Sequence, residues 1–366
     1  MHKRSEGDEK RRGFGRAIAA GMGLGLMLPA AALAAEDSYP KFSGAVGFEI
    51  EDDYAFDSDA AANEQNELGG VIEPDLYLHF SENFYVNTVL TLEAVNPPGA
   101  GQDRVFQEHG IYVGTLTVNY ETDNFGVYAG KFGPNFSLGY DAAAGLYGTD
   151  ILGDDVELAE FLGFGGSVGL GETGMGDLTV SASLFMADRT ILSESFITNR
   201  GRNNLAAGGP GNTEAPESFA LALDGELDDI AYQVSVARLG FDVGDDEYRA
   251  AVAGMWSLDA GNGVTVTPFL EYIRFWNAGG ANNEERNYFT ASLATEFDAW
   301  NVALAFTGKD VDVSGANGST FDHQTSVSFG YAFENGFTVD VGYKYNVTGR
   351  VDTQTVGALV TYGIEF

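Results

Sequence analysis

The chain has 366 residues, 54 acidic against 19 basic side chains, a formal charge of −35, 49 glycines, 13 % aromatics and no cysteine. So acidic a balance repels nucleic acid and anionic membrane surfaces and attracts cations, while the missing cysteine excludes a disulfide framework and thiolate chemistry. Abundant glycine and aromatics in regular strands fit one large barrel better than the two or three soluble domains that length alone would suggest.

The first 34 residues read as a cleaved export signal. A basic lead (Lys3, Arg4, Lys10, Arg11, Arg12, Arg16) precedes an apolar run from Ala17 that ends in Ala32-Leu33-Ala34, a small-residue cleavage pattern. Removing residues 1–34 takes away six of the 19 basic and three of the 54 acidic residues, leaving a formal charge of −38 on residues 35–366. No apolar run of about 18 residues follows, so a membrane crossing, if there is one, is made by strands.

From Phe42 to Ile50 the even positions read Phe, Gly, Val, Phe, Ile and the odd ones Ser, Ala, Gly, Glu. Period two with one apolar face predicts a strand between two different solvents. An acidic loop is expected from Glu51 to Glu67, then a second strand over Leu68–Phe80, a third over Phe84–Ala94, a fourth over His109–Tyr120 and a fifth over Phe125–Phe132. After a long insert the rhythm predicts strands near 161–170, 178–187, 218–227, 230–239, 248–258, 264–275, 288–297, 300–307, 322–333, 337–347 and 354–366. The count is sixteen, and short turns alternate with longer polar loops. That combination predicts an all-β fold, a transmembrane antiparallel β-barrel of 16 strands, with the loop after strand five folded inward.

The insert, Phe132 to Phe161, is the break in the pattern. Alternation stops for about thirty residues, far beyond an ordinary connection, and the segment carries Asp141, Asp150, Asp154, Asp155, Glu157 and Glu160 without a basic residue. These six are the expected constriction. Since the apolar set must face lipid, the pore wall is expected to show Glu49, Glu73, Asp75, Glu93, Glu271 and Asp340 on the acidic side and Lys131, Arg249 and Lys344 on the basic side, with Arg104 nearby on a loop. Charged rings in a narrow pore select by sign, so the lumen is expected to favour cations.

Other fragments imitate chemistry. Gly169-Leu170-Gly171-Glu172-Thr173-Gly174 spells a dinucleotide fingerprint, but Leu178-Thr179-Val180-Ser181 continues as strand and leaves no helix to meet a phosphate. Asp310-Val311-Asp312 opens like a calcium loop and places Phe321 where a bidentate Glu is required; weak Ca²⁺ binding by acidic loops is the most it supports. His79, His109 and His323 have no serine beside them in a recognisable motif, so no catalytic residue, resident metal or cofactor is expected.

The chain ends on Val356, Ala358, Val360, Tyr362, Ile364 and Phe366, alternating to the last residue. A strand closing on Phe366, with Tyr362 and Ile364 at the matching alternate positions, resembles the assembly signal of Gram-negative outer-membrane barrels. With the loop after strand five, residues 35–366 resemble the general diffusion porins. The resemblance implies a homotrimer in the outer membrane, in contact with its lipid and lipopolysaccharide and handled by the barrel-assembly machinery. It also implies loop carboxylates facing basic residues across an eyelet, and here that basic half is thin. The expected function is passive diffusion of small hydrophilic solutes and ions; a substrate-specific channel and a plugged structural or adhesin barrel are the alternatives.

Overall fold

The computed structural model describes residues 38–148, 150, 153–315 and 319–366; the expected export signal lies outside them. Sixteen strands make the wall: β1 Lys41–Ser58, β2 Gln65–His79, β3 Phe84–Ala94, β4 His109–Glu121, β5 Phe125–Phe132, β6 Phe161–Thr173, β7 Gly176–Ala187, β8 Ser218–Leu227, β9 Ile230–Leu239, β10 Glu247–Trp256, β11 Val264–Trp276, β12 Glu284–Phe297, β13 Trp300–Val313, β14 Thr320–Ala332, β15 Thr338–Thr348 and β16 Val351–Glu365. Each pairs antiparallel with the next, and β16 returns to β1 over the register Ala45↔Glu365 to Ser58↔Thr353. Gly44 and Phe366 exchange both backbone hydrogen bonds at 3.0 Å to finish the seam. The sheet is a closed barrel. Closure removes every free edge.

Alternation explains the wall. Along β1 the even residues face out, with Phe42 59 % and Ile50 50 % exposed, and Glu49, Glu51 and Asp53 take the inner parity. The outer face continues as an apolar band through Ile72, Val118, Val127, Phe164, Leu221, Val252, Leu270, Leu304, Phe329 and Val341, all exposed. Among the described residues no helix is long and apolar enough to cross a membrane.

One sequence expectation fails. Glu51 to Glu67 is not a loop: β1 runs on to Ser58 and β2 begins at Gln65, with Tyr54 and Phe56 still on the exposed outer parity. Charge does not end a strand whose inner face is wet. For the same reason β12 starts at Glu284 rather than 288, and β13 extends to Val313 rather than 307.

β5 turns at Gly130, two residues before the insert leaves the wall after Phe132. The φ of +143° at this glycine is a conformation L side chains rarely adopt, and a Cβ there would lie 2.0 Å from the Leu116 carbonyl oxygen. Three residues after Gly130, Gly133-Pro134 ends the ladder. Because β5 stops at Phe132, β4 pairs with it only over Leu116–Glu121. The bared end of β4 is covered by Phe196-Ile197 from the connection between β7 and β8, with Gly110 opposite Ile197.

Candidate channel constriction

The insert turns into the barrel and lies along its wall. Phe136, Val156, Leu158 and Phe161 are buried in a cluster with Phe132, Phe185, Leu239, Ile273 and Phe275. The wall beneath is made of small or hydroxyl side chains on the inner parity: Ser235, Ala251, Ala253, Ser292, Ala303, Ala305, Ser326 and Ser328 are all buried. Short side chains let a peptide segment approach the sheet closely. Several donate or accept directly, as when Ala144 N donates to Ser292 Oγ at 2.9 Å and Leu146 N donates to Ser328 Oγ at 3.3 Å.

Five anchors fix the path. At the first, α1 (Gly139–Ala142) has no side-chain cap of its own, and Glu271 reaches from β11 to provide one. Its Oε1 accepts from Ser137 Oγ at 3.0 Å, Leu138 N at 2.8 Å and Gly139 N at 3.0 Å. Capping by a carboxylate satisfies orphan N–H groups at a helix start. Next, Tyr147 donates its hydroxyl to Asp53 of β1 at 2.5 Å, and its carbonyl accepts from Gln324 of β14.

The remaining anchors are ionic. Asp150 pairs with Lys344 at 2.6 Å, and that ammonium also lies 4.3 Å from the Tyr147 ring centre. On the returning limb, α2 (Gly153–Val156) carries Asp155 between Arg286 at 2.9 Å, the Tyr288 hydroxyl at 2.8 Å and Lys309. Burial opposes ionisation of Asp155, but hydrogen bonds from Lys309 and Tyr288, with the charges of Lys309 and Arg286, hold its carboxyl below the usual range. Where the insert rejoins the wall, Glu160 pairs with fully buried Lys131 at 2.6 Å and with Arg200, while Lys131 also faces Asp188 at 3.1 Å.

The residues named from sequence therefore separate. Asp150, Asp155, Glu160, Lys131, Lys344 and Glu271 serve as anchors. Arg249 joins them, buried against Glu247 at 2.6 Å and donating to the Val156 carbonyl. Asp340 lies on β15 opposite Gly330, near the short-turn end. Tyr362, Ile364 and Phe366 line the seam, where Tyr362 stacks on Phe337 at 4.5 Å and Phe366 meets Phe42 at 5.6 Å. The side chain of Asp154 lies outside the described residues.

What is left lines the gap. On the wall, Glu49, Glu73 and Glu93 stand on β1, β2 and β3, with Glu73 and Glu93 both acting on Glu49. Thr91 donates to Glu73 at 3.0 Å and Tyr112 to Glu93 at 2.5 Å, while Asp75 accepts from Tyr77 at 2.8 Å. A groove of about 210 Å³ beside them is lined by Glu49, Glu51, Asp53, Glu67, Glu93 and Arg104, and Arg104 is paired with Glu67 at 2.6 Å. On the insert, Glu157 faces this wall and Asp141 lies near Glu157 and Glu271. Burial pushes Glu157 up, and the charges of Glu160, Glu93 and Glu73 add to it. Burial, then Glu157 and Glu271, push Asp141 up to about 7. Among the described residues no set of three His, Asp or Glu side chains is placed to hold a metal ion.

Comparison with known proteins places the fold. No family model matches the chain, and no curated protein matches it. Solved structures do. A loop L8 deletion mutant of OmpT, an outer membrane protein of Vibrio cholerae, is 11 % identical, with a TM-score of 0.52 over 89 % of this chain and 99 % of that one. Acinetobacter baumannii OccAB3 is 8 % identical, with a TM-score of 0.55 over 89 % of this chain and 100 % of its own. Pseudomonas aeruginosa OpdK, in a structure with vanillate, is 9 % identical, with a TM-score of 0.54 over 89 % and 99 %. The chain shares their barrel.

Sequence reading missed Arg286 and Lys309, because strands β12 and β13 were expected to be shorter than they are. It also missed Tyr147 and Asp53. Carrying the alternation of Leu304 and Phe306 on to residue 309 puts Lys309 on the inner parity, which is the signal that could have found it.

Proposed function

We propose that the chain is an outer-membrane channel, a water-filled pore through which small hydrophilic solutes and ions diffuse, with cations preferred. One observation carries the reading. The gap between the insert and strands β1 to β3 has carboxylates on both sides (Glu49, Glu73 and Glu93 facing Glu157, with Asp141 near Glu157), while Lys131, Arg249, Arg286, Lys309 and Lys344 are each in an ion pair. A narrow passage lined by one sign of charge excludes co-ions. An exported, lipid-facing barrel assembled as a homotrimer in lipopolysaccharide is consistent with the apolar outer band and the Phe366 terminus.

A substrate-specific channel is the second reading, since OpdK was crystallised with vanillate. An interior whose basic residues are paired offers such a carboxylate little to hold. Reversal potentials across a planar bilayer under a KCl gradient test the proposal. Potassium preference in open, non-saturating steps is expected; chloride preference refutes it, saturation by one solute favours the second reading, and absence of current a plugged barrel.

A further inference from the structure

Asp155 differs from the other anchors in what it covers. Lys309 has no other ion partner among the described residues. Its side chain and those of Arg286 and Asp155 keep 19 %, 22 % and 22 % exposure, so all three touch the lumen water. Arg286 has a second partner in Glu284 at 2.7 Å, and Lys309 does not. α2 has fastenings besides the Asp155 charge. Val156 next to it is fully buried in the apolar cluster, Leu158 follows it there, and the Val156 carbonyl is held by Arg249.

We propose that Asp155 determines ion selectivity by masking Lys309 and, in part, Arg286, two cations that would otherwise point bare into the passage. This rests on the channel reading above, though not on its sign. The charge that a permeating ion meets is the sum of wall and insert. One carboxylate laid on an ammonium removes a positive charge from that sum without adding a free negative one.

The test is the potassium-to-chloride permeability ratio of the full-length protein in planar bilayers, with variants compared against wild type. Asp155→Asn keeps the shape and unmasks Lys309. A unit charge between about 4 and about 8 Å from a passing ion in water changes its occupancy roughly two- to fivefold, in opposite senses for potassium and chloride, so the ratio is expected to fall by about the square of that factor, roughly five- to thirtyfold. Adding Lys309→Gln to Asp155→Asn is expected to restore most of the loss. Lys309→Gln alone removes the ammonium, leaves the carboxylate to Arg286 and Tyr288, and is expected to raise the ratio, which keeps the test alive if Asp155→Asn does not assemble. A ratio that stays at the wild-type value in Asp155→Asn, or falls and is not recovered by Lys309→Gln, overturns the masking role. A wild-type channel that prefers chloride refutes the cation reading and leaves the variant comparison intact; a wild type without current overturns both.

Discussion

Replacing Glu271 by Ala isolates the anchor that sets where the insert begins its crossing. The carboxylate is 2 % exposed and accepts from Ser137 Oγ, Leu138 N and Gly139 N, all at 3.0 Å or less to Oε1. Truncation leaves three donors without an acceptor. An orphaned buried donor costs about 1–3 kcal/mol, and water entering the new space lowers that toward the bottom of the range, so the closed position loses about 3 kcal/mol. At about 1.4 kcal/mol per decade, excursions of the α1 end become roughly a hundred times more frequent. The barrel itself should not notice, because the β11 ladder with β10 and β12 contains no side-chain bond from Glu271. Single-channel recording is then expected to show larger, noisier steps, while thermal unfolding of the detergent-solubilised protein, followed by circular dichroism, stays close to wild type. Glu271→Gln, which keeps one acceptor, is expected to lie between. Quiet Glu271→Ala channels of wild-type conductance would refute the assignment of this carboxylate as a fastener.

Two further outcomes follow from the same geometry. Asp141 is pushed up to about 7 by burial and then by Glu157 and Glu271; a raised carboxyl carries its charge above that pH and loses it below, so cation preference is expected to weaken as pH falls from 8 to 5, more in wild type than in Asp141→Asn, and a pH-independent reversal potential would count against it. Gly130→Ala places a Cβ 2.0 Å from the Leu116 carbonyl oxygen at a φ of +143°; heat-modifiability on gels is expected to show poorly closed barrel, and normal assembly would mean that β5 turns another way.

Much of the wall was legible because its cause is local. A strand between lipid and water must alternate, and the alternation of Phe42 to Ile50 or of Val356 to Phe366 can be read without a partner strand. Length was less legible. Glu51, Asp53, Glu284 and Lys309 look like loop residues by charge, yet each belongs to a strand whose inner face is wet. The insert announced itself by breaking the period and by its acids, and the structure lays it inside. Its division into anchors and lining was hidden. Which of Asp150, Asp155 and Glu157 meets a cation depends on the path taken over β10 to β15, and that path follows from Val156 and Leu158 finding an apolar seat between Phe161 and Phe275.

On the proposed channel reading, the sign of the passage follows from scarcity. With 51 acidic and 13 basic residues after position 34, cations are the limiting partner, and a segment buried against a wall claims them first. Carrying charged side chains out of bulk water is costly unless they are paired, and the insert meets that condition through Lys131, Arg286, Lys309 and Lys344. Among the described residues the gap carboxylates Asp141 and Glu157 are left without a cation, and burial raises both carboxyls as a result. An acidic passage is therefore what an acid-rich chain produces when its few bases fasten the constriction, and moving a base from anchor to lining would alter both the fastening and the selectivity.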